Sequence, residues 1–221
     1  MNLIGLDLDG TLEDSRNDMT AVVHHVRAGL KLRPRPSEAV RPWVNKGMEQ
    51  LYRACFDDYI QANDVGLEEV RKRYEADYLE NVSVETRLYP GISESVSRLA
   101  DLARLAVITN KPERISRRLL EVLGIDKFIG VVIGGDTCPK GKPDPIVLEE
   151  AARRVGFDKA RGHAVMIGDT EADMKLGRAF GAKTIWAAWG YTDRIKAEPD
   201  FKAQSPADLP AMVESIFALK P

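Results

Sequence analysis

Two carboxylates near the start of the chain stand where chemistry could occur. Asp7 and Asp9 lie two residues apart in LIGLDLDGTLEDS, directly after an apolar run typical of a buried strand. Such a pair could supply a nucleophile and a proton donor, or it could bind a metal ion. Asp9 and Gly10 also form a common turn signal, so the pair alone does not distinguish a reactive site from a plain turn.

Polar residues also follow other apolar runs along the chain. Thr109 comes directly after the apolar run LAVI. Asp169 comes directly after the run AVMIG, which ends in a glycine. Ligands of open α/β sheets bind at the carboxyl ends of the strands, so we expect these side chains to converge with Asp7. Asp173 lies about one helical turn beyond Asp169 and could face the same site. Lys142 would add a cation near the same rim.

The combined residue types favour phosphoryl chemistry. Several aspartates in one pocket repel each other, and a hard divalent cation such as Mg²⁺ relieves that repulsion. A lysine and a threonine hydroxyl beside the metal can bind phosphate oxygens. One carboxylate could then attack phosphorus while the other, two residues away, transfers protons. Gly10 would let the chain curl as it leaves the sheet.

The elements that would position these residues alternate between strand and helix. Short apolar runs predict strands, and helical spacing follows most of them, as in the stripe formed by Ile115, Leu119 and Val122. This alternation predicts an α/β fold with a doubly wound parallel sheet. The predicted strands cover 3–6, 105–109, 128–135, 163–169 and 182–189, and the later predicted helices include 145–155, 171–180 and 207–219.

One segment departs from this alternation. Between 15 and 82 no strand is predicted, but MTAVVHHVRAGL, VNKGMEQLYRACFDDYI and LEEVRKRYEADYL carry apolar residues at helical spacing. We therefore predict an α/β core formed by 1–14 and 83–221, with an all-α insertion formed by 15–82. Because the insertion directly follows the first carboxylate pair, we expect it to act as a cap that covers the site formed by that pair.

Composition and charge narrow the class of protein. With 221 residues, of which 44% are hydrophobic and 30% charged, the chain matches an ordinary globular protein. A formal net charge of −2 gives no sign of binding to nucleic acid or to an anionic membrane. Cys55 and Cys138 match no metal spacing and imply no disulfide framework. With no secretory signal and no membrane-spanning run, we expect a cytoplasmic protein, either a monomer or a homodimer.

Four short motifs together resemble one known family. DLDGTL (7–12), TN (109–110), KPDP (142–145) and GDTEAD (168–173) match, in order, the motifs of the haloacid dehalogenase-like hydrolase superfamily. RLYPGI and WGYTD further resemble its phosphoglycolate phosphatase-like branch. The resemblance covers the whole chain, and it implies a Rossmann-like core, a helical cap and Mg²⁺ as cofactor.

The resemblance also implies roles for individual residues. Asp7 would be the nucleophile that forms an aspartyl-phosphate, and Asp9 would be the general acid and then the general base. The implied metal ligands are Asp7, Asp9 through its main-chain carbonyl, and Asp169. The implied phosphate-binding residues are Thr109, Asn110 and Lys142, with Asp173 holding Lys142 or a metal-bound water.

For the lysine of the phosphate site and for Lys46 in the insertion, the sequence allows more than one interpretation. Lys142 is preferred over Lys140 for the phosphate site because it directly precedes the proline of the motif, and Lys140 is then a surface residue. In the insertion, Lys46 could contact a substrate carboxylate or a second phosphate and so select the substrate. An exposed lysine on a helix explains Lys46 equally well.

These features predict a Mg²⁺-dependent phosphomonoesterase that acts on a small phosphorylated metabolite, such as phosphoglycolate. Two alternatives stay open at this stage: a sugar phosphomutase of the same fold, which also keeps both aspartates, and a non-catalytic phosphate-binding regulatory protein. A dehalogenase is disfavoured, because relatives of that kind lack the second aspartate that Asp9 supplies.

Overall fold

The chain forms two compact units. The structure, a computed structural model, describes residues 1–44 and 46–218. The first unit comprises Met1–Asp14 with Leu88–Pro221, and the second comprises Ser15–Arg87. The sequence prediction placed the return to the core at 83, whereas this division places it at Leu88.

Both units are built from the following elements, numbered in chain order; helices and strands alternate along most of the first unit. The strands are β1 (Leu3–Leu6), β2 (Glu13–Asp14), β3 (Arg87–Leu88), β4 (Arg104–Ile108), β5 (Ile129–Ile133), β6 (Ala164–Gly168), β7 (Lys183–Ala187) and β8 (Phe201–Ala203). The helices are α1 (Arg16–Gly29), α2 (Ser37–Val44), α3 (Met48–Cys55), α4 (Asp57–Ala62), α5 (Gly66–Glu80), α6 (Ile92–Leu102), α7 (Glu113–Val122), α8 (Ile146–Val155), α9 (Glu171–Phe180) and α10 (Leu209–Phe217). Short 3₁₀ turns cover Asp126–Phe128 and Pro206–Asp208.

A parallel sheet of six strands organises the first unit. Its order is β5-β4-β1-β6-β7-β8, and each neighbouring pair is parallel. Leu3, Met166 and Ile108 are fully buried in a core that α8 and α9 help to close. Strands covered on both faces are apolar along their whole length, which is why the runs in the sequence are continuous rather than alternating. The predicted doubly wound α/β fold is confirmed.

The first unit also differs from the prediction in its details. Strand β8 was missed, because three residues are too few to produce a recognisable pattern. Val122 was expected on the buried stripe of α7 but is 46% exposed. The buried residues of α7 are Ile115, Ser116, Leu119 and Leu120. On a helix of 3.6 residues per turn, the centre of this buried face lies about a quarter turn away from Val122.

The second unit is helical, as its apolar spacing indicated. The segment 44–60, which carries one continuous helical pattern in the sequence, is divided between the end of α2, α3 and α4. Gly47 has a φ of +97° just before α3, and this backbone conformation ends the preceding helical run. The predicted helix 207–219 is observed as α10, and Leu219 lies outside the described residues.

Aromatic side chains form much of the interior of the second unit. Tyr74 is fully buried and meets the rings of Tyr52 and Tyr78 edge-on, at centroid distances of 5.2 and 5.9 Å. The guanidinium of Arg27, which is 2% exposed, pairs with Asp58 at 2.7 Å and donates to backbone carbonyls nearby. These contacts give the unit its own core.

Within the described residues, no helix has the length and apolar character required to cross a membrane.

Candidate active site

The carboxyl ends of three adjacent strands bring the predicted polar residues to one edge of the sheet. Strand β1 lies between β4 and β6, and Leu6 is paired with Val107 on one side and with Ile167 on the other. The residues that leave the sheet just beyond these pairs include Asp7, Thr109 and Asp169. All three are buried: Asp7 and Thr109 are only 4% and 3% exposed, and Asp169 is fully buried.

A buried lysine joins two of the carboxylates. Lys142 Nζ lies 2.5 Å from Asp7 Oδ1 and 2.7 Å from Asp173 Oδ1, and its side chain is only 4% exposed. The other oxygen of Asp173 accepts hydrogen bonds from the N–H and hydroxyl of Thr170, which caps the start of α9. The helix start therefore fixes Asp173, and Asp173 in turn fixes Lys142.

Asp169 contacts two other parts of the chain. Its Oδ2 accepts the N–H of Tyr191 at 2.8 Å, and its Oδ1 lies 3.3 Å from the Thr11 hydroxyl. Gly10, with a φ of +81°, passes so close that a Cβ there would lie 2.6 Å from Asp169 Oδ2. The glycine after the first carboxylate pair thus permits a close approach to the last motif, in addition to the turn predicted from sequence.

The residues that could hold a metal ion form a buried acidic cluster. Ligand oxygens of Asp7, Asp169 and Asp173 all lie within 4.8 Å of one another. Three hard carboxylate donors with little exposure to solvent are the type of ligand that Mg²⁺ binds, with water completing its coordination. The donor set therefore fits the predicted cation.

Burial and charge perturb the ionisation of this cluster. Burial, reinforced by Asp173, raises the pKa of Asp7 well above its ordinary value despite the opposing effect of Lys142. Burial and Asp173 likewise raise the pKa of Asp169 to about 7. Burial alone would lower the pKa of Lys142, but the carboxylates of Asp173 and Asp7 outweigh it and raise that pKa. The cluster thus holds more negative charge than its lysine neutralises, which favours binding of a divalent cation.

Asn110 orders the loop that carries Lys142. Its side-chain oxygen accepts the N–H of Lys142 at 2.9 Å. Sequence reasoning assigned Asn110 to the phosphate and did not foresee this bond. Lys140, by contrast, is 73% exposed and pairs with Asp144 at 3.1 Å, as expected of a surface residue.

Asp9 contacts a second lysine. Its Oδ1 lies 2.5 Å from Lys111 Nζ, and its Oδ2 lies 3.5 Å from the Thr109 hydroxyl. The sequence resemblance assigned its main-chain carbonyl, not its carboxylate, to the metal, and that assignment stays a prediction. Lys111 was missed, although its position directly after Thr109 and Asn110 was a usable signal.

Strand β7 and the segment after it also contribute unforeseen contacts. The indole N–H of Trp186 donates to the main-chain carbonyl of Asp169 at 3.2 Å, and that of Trp189 donates to the carbonyl of Thr11 at 3.0 Å. Together with the N–H of Tyr191, these donors hold the first and last motifs. WGYTD was noted in the sequence as a similarity to a family branch, without any role for its residues.

Lys46 lies in the second unit, between α2 and α3, and its side chain is exposed. The neighbouring Asn45 lies outside the described residues. The role of Lys46 in substrate selection stays a prediction.

Comparison with known proteins establishes the class that this fold and site define. The family model for haloacid dehalogenase-like hydrolases matches residues 4–187. The chain belongs to this family.

Individual relatives share most of their length with the chain. A phosphoglycolate phosphatase of Aquifex aeolicus is 31% identical over 216 residues, covering 97% of this chain and 98% of the relative. Another, of Neisseria meningitidis, is 35% identical over 200 residues, covering 89% and 84%. Among solved structures, a predicted phosphoglycolate phosphatase from Haemophilus somnus superposes with a TM-score of 0.84 at 25% identity, covering 96% of this chain and 98% of that one.

Proposed function

We propose that this chain, a phosphatase by its family and its relatives, is a Mg²⁺-dependent phosphomonoesterase that acts through an aspartyl-phosphate intermediate. The observation that carries the proposal is the buried contact of Lys142 with both Asp7 and Asp173, beside Asp169, at the carboxyl edge of the sheet. This arrangement supplies a nucleophile, a fixed cation and hard oxygen ligands in one place. Because the relatives are phosphoglycolate phosphatases, we propose a small phosphorylated metabolite similar to phosphoglycolate as substrate.

The first chemical step transfers the phosphoryl group to Asp7. Lys142 and the Leu8 N–H contact Oδ1 of Asp7, so we assign the attack on phosphorus to Oδ2. The P–O bond to the alcohol breaks in line with this attack. Asp9 donates a proton to the leaving oxygen, and Lys142 offsets negative charge on the phosphoryl oxygens. Thr109 and Asn110 bind those oxygens.

The second step returns the enzyme to its starting state. Asp9, now ionised, accepts a proton from water as that water attacks phosphorus. The bond between Asp7 and phosphorus breaks, and inorganic phosphate is released. Bound at the acidic cluster, Mg²⁺ would neutralise charge on the phosphoryl group and orient it.

Phosphate release from a panel of small phosphate esters tests this proposal. We expect turnover by the wild type in Mg²⁺, loss of turnover in chelator, and a decrease on the order of 10³-fold or more for Asp7→Asn, which removes the nucleophile. Asp158→Asn is the matched control, because Asp158 is a surface carboxylate that is 58% exposed. Trapping of a phosphorylated wild-type protein, absent from Asp7→Asn, would identify the intermediate.

Two results would contradict the proposal. One is an absence of phosphate release from every ester by the folded wild type. The other is conversion of a sugar phosphate to its isomer without net release of phosphate, which would identify the chain as a mutase.

A further inference from the structure

A second buried lysine lies beside the proposed proton-transfer residue. Lys111 Nζ is 2.5 Å from Asp9 Oδ1 and 3.6 Å from Glu13 Oε1. The Lys111 side chain is 1% exposed and that of Glu13 is fully buried, whereas that of Asp9 is 16% exposed. Of the three charged groups, Asp9 is therefore the one that reaches the outside, with the other two beneath it.

The backbone around this group is well ordered by hydrogen bonds. The N–H of Lys111 donates to the Thr109 hydroxyl at 3.1 Å, and its carbonyl accepts the N–H of Gly135 at 2.9 Å. Glu13 belongs to the turn that follows Asp9, since its carbonyl accepts the N–H of Gly10 at 2.9 Å. The lysine and its second carboxylate thus come from two different loops, and both loops are fixed to the sheet edge.

The two oxygens of Asp9 have different surroundings. Oδ1 contacts Lys111, and Oδ2 lies toward Thr109, which the proposed function assigns to the phosphate. An ammonium group held against Oδ1 restricts rotation of the carboxyl group. It therefore keeps Oδ2 directed toward Thr109 and the proposed phosphate position.

We propose that Lys111 is a positioning residue for Asp9, with Glu13 holding Lys111 in place from below. This inference rests on the proposed function, because it concerns how proton transfer to the leaving group is oriented. Burying a lysine without a catalytic purpose would be costly, since a salt bridge in the interior stabilises a fold little or not at all compared with apolar residues of similar volume.

The dependence of rate on the leaving group tests this role. An alkyl phosphate such as phosphoglycolate needs protonation of its leaving oxygen, whereas 2,4-dinitrophenyl phosphate releases a stable anion that does not. For Lys111→Met we expect kcat/KM to fall on the order of 10²-fold with the alkyl ester and less than about threefold with the dinitrophenyl ester. We compare kcat/KM because this constant reports the steps up to and including the first irreversible step, here cleavage of the ester bond.

Three further variants make the result specific. Lys140→Met removes an exposed lysine and should leave both values unchanged. In an Asp9→Asn background, Lys111→Met should not change the ratio of kcat/KM for the alkyl ester to kcat/KM for the dinitrophenyl ester. In that background no acid is left to position. If Lys111→Met does not fold, Lys111→Met with Glu13→Gln removes the lysine without leaving the Glu13 charge unpaired, and the same selective loss is expected.

The outcomes separate the inference from the function on which it rests. A similar decrease with both esters, in a folded variant, would overturn the positioning role while leaving the phosphatase intact. Folded wild-type protein that hydrolyses neither these two esters nor any other ester of the panel would overturn the proposed function and this inference together.

Discussion

Lys142 is a buried cation held between two buried carboxylates. Its contacts with Asp7 and Asp173 mean that the lysine both offsets charge and fixes the direction of Asp7, the proposed nucleophile. Removing one member of such a group leaves the remaining buried charges without compensation, which is more harmful than never having buried them.

We therefore expect Lys142→Met to affect both activity and stability. Phosphate release should fall on the order of 10²–10³-fold, because the phosphoryl group loses a fixed cation. The free energy of unfolding in chelator should fall by roughly 3–5 kcal/mol, measured by urea denaturation. Lys140→Met, which removes an exposed lysine two residues away, should change the free energy of unfolding by less than about 0.5 kcal/mol. Equal effects of the two variants would argue against the assigned role of Lys142.

The junction between β6 and α9 sets the geometry of the acidic cluster at the level of elements. Gly168 ends β6, Thr170 caps α9, and Asp173 lies in the first turn of that helix. A Cβ at Gly168 would lie 2.2 Å from Asp173 Cγ. This close approach explains why a glycine stands at the end of β6.

A methyl group at this junction should displace the helix. We expect Gly168→Ala to lower the free energy of unfolding by roughly 1–3 kcal/mol. Phosphate release should fall as well, because Asp173 would no longer meet Lys142. Gly29→Ala is the matched control: no atom lies within 4 Å of its Cβ, and alanine favours a helix. A Gly168→Ala protein as stable and active as Gly29→Ala would show that the junction tolerates movement.

At the scale of the whole first unit, the sheet edge gathers more negative than positive charge. Lys142 and Lys111 face the carboxylates of Asp7, Asp173, Asp9 and Glu13, and Asp169 adds another. The folded protein therefore retains protons that the unfolded chain would release, as the raised pKa of Asp169, to about 7, indicates. Stability, pH and metal binding are consequently linked.

The sign of this linkage gives a prediction for stability. Between the ordinary pKa of Asp169, 3.8, and its folded value of about 7, the folded state binds more protons than the unfolded state. Stability in chelator should therefore fall as pH rises through this range. Carboxyl groups whose pKa is lowered, such as those of Asp58 and Glu113, contribute with opposite sign near or below their ordinary values of 3.8 and 4.5. Measurements from about pH 5 to 8 therefore avoid the titration of these carboxyl groups.

Thermal melting with and without Mg²⁺ measures the effect. The melting temperature in chelator should decrease by a few degrees from pH 5 to pH 8, and Mg²⁺ should raise it more at pH 8 than at pH 5 because it replaces the lost protons. In Asp169→Asn, both the pH-dependent difference and the effect of Mg²⁺ should shrink, while unrelated titrations remain. A Mg²⁺ effect that is the same at both pH values would contradict the linkage.

Much of the architecture follows from local patterns in the sequence. Continuous apolar runs identified the strands β1, β4, β5, β6 and β7, and their alternation with helical spacing identified the fold class. Asp7, Thr109 and Asp169 could be assigned to one edge because the carboxyl ends of parallel strands lie together. Val122 and β8 were not foreseen, since the buried face of a short helix and a strand of three residues depend on what packs against them.

The sequence by itself determined which residue types stand at the strand ends and in what order, because strand period and strand polarity are local properties of the chain. The tertiary structure decided which partners those residues meet. The two carboxylates on Lys142, the Lys111 and Glu13 group beneath Asp9, and the Tyr191 N–H on Asp169 join segments far apart in the sequence. Such contacts are set by strand order and register, which bring distant loops within hydrogen-bond distance and leave no periodic signal in the sequence.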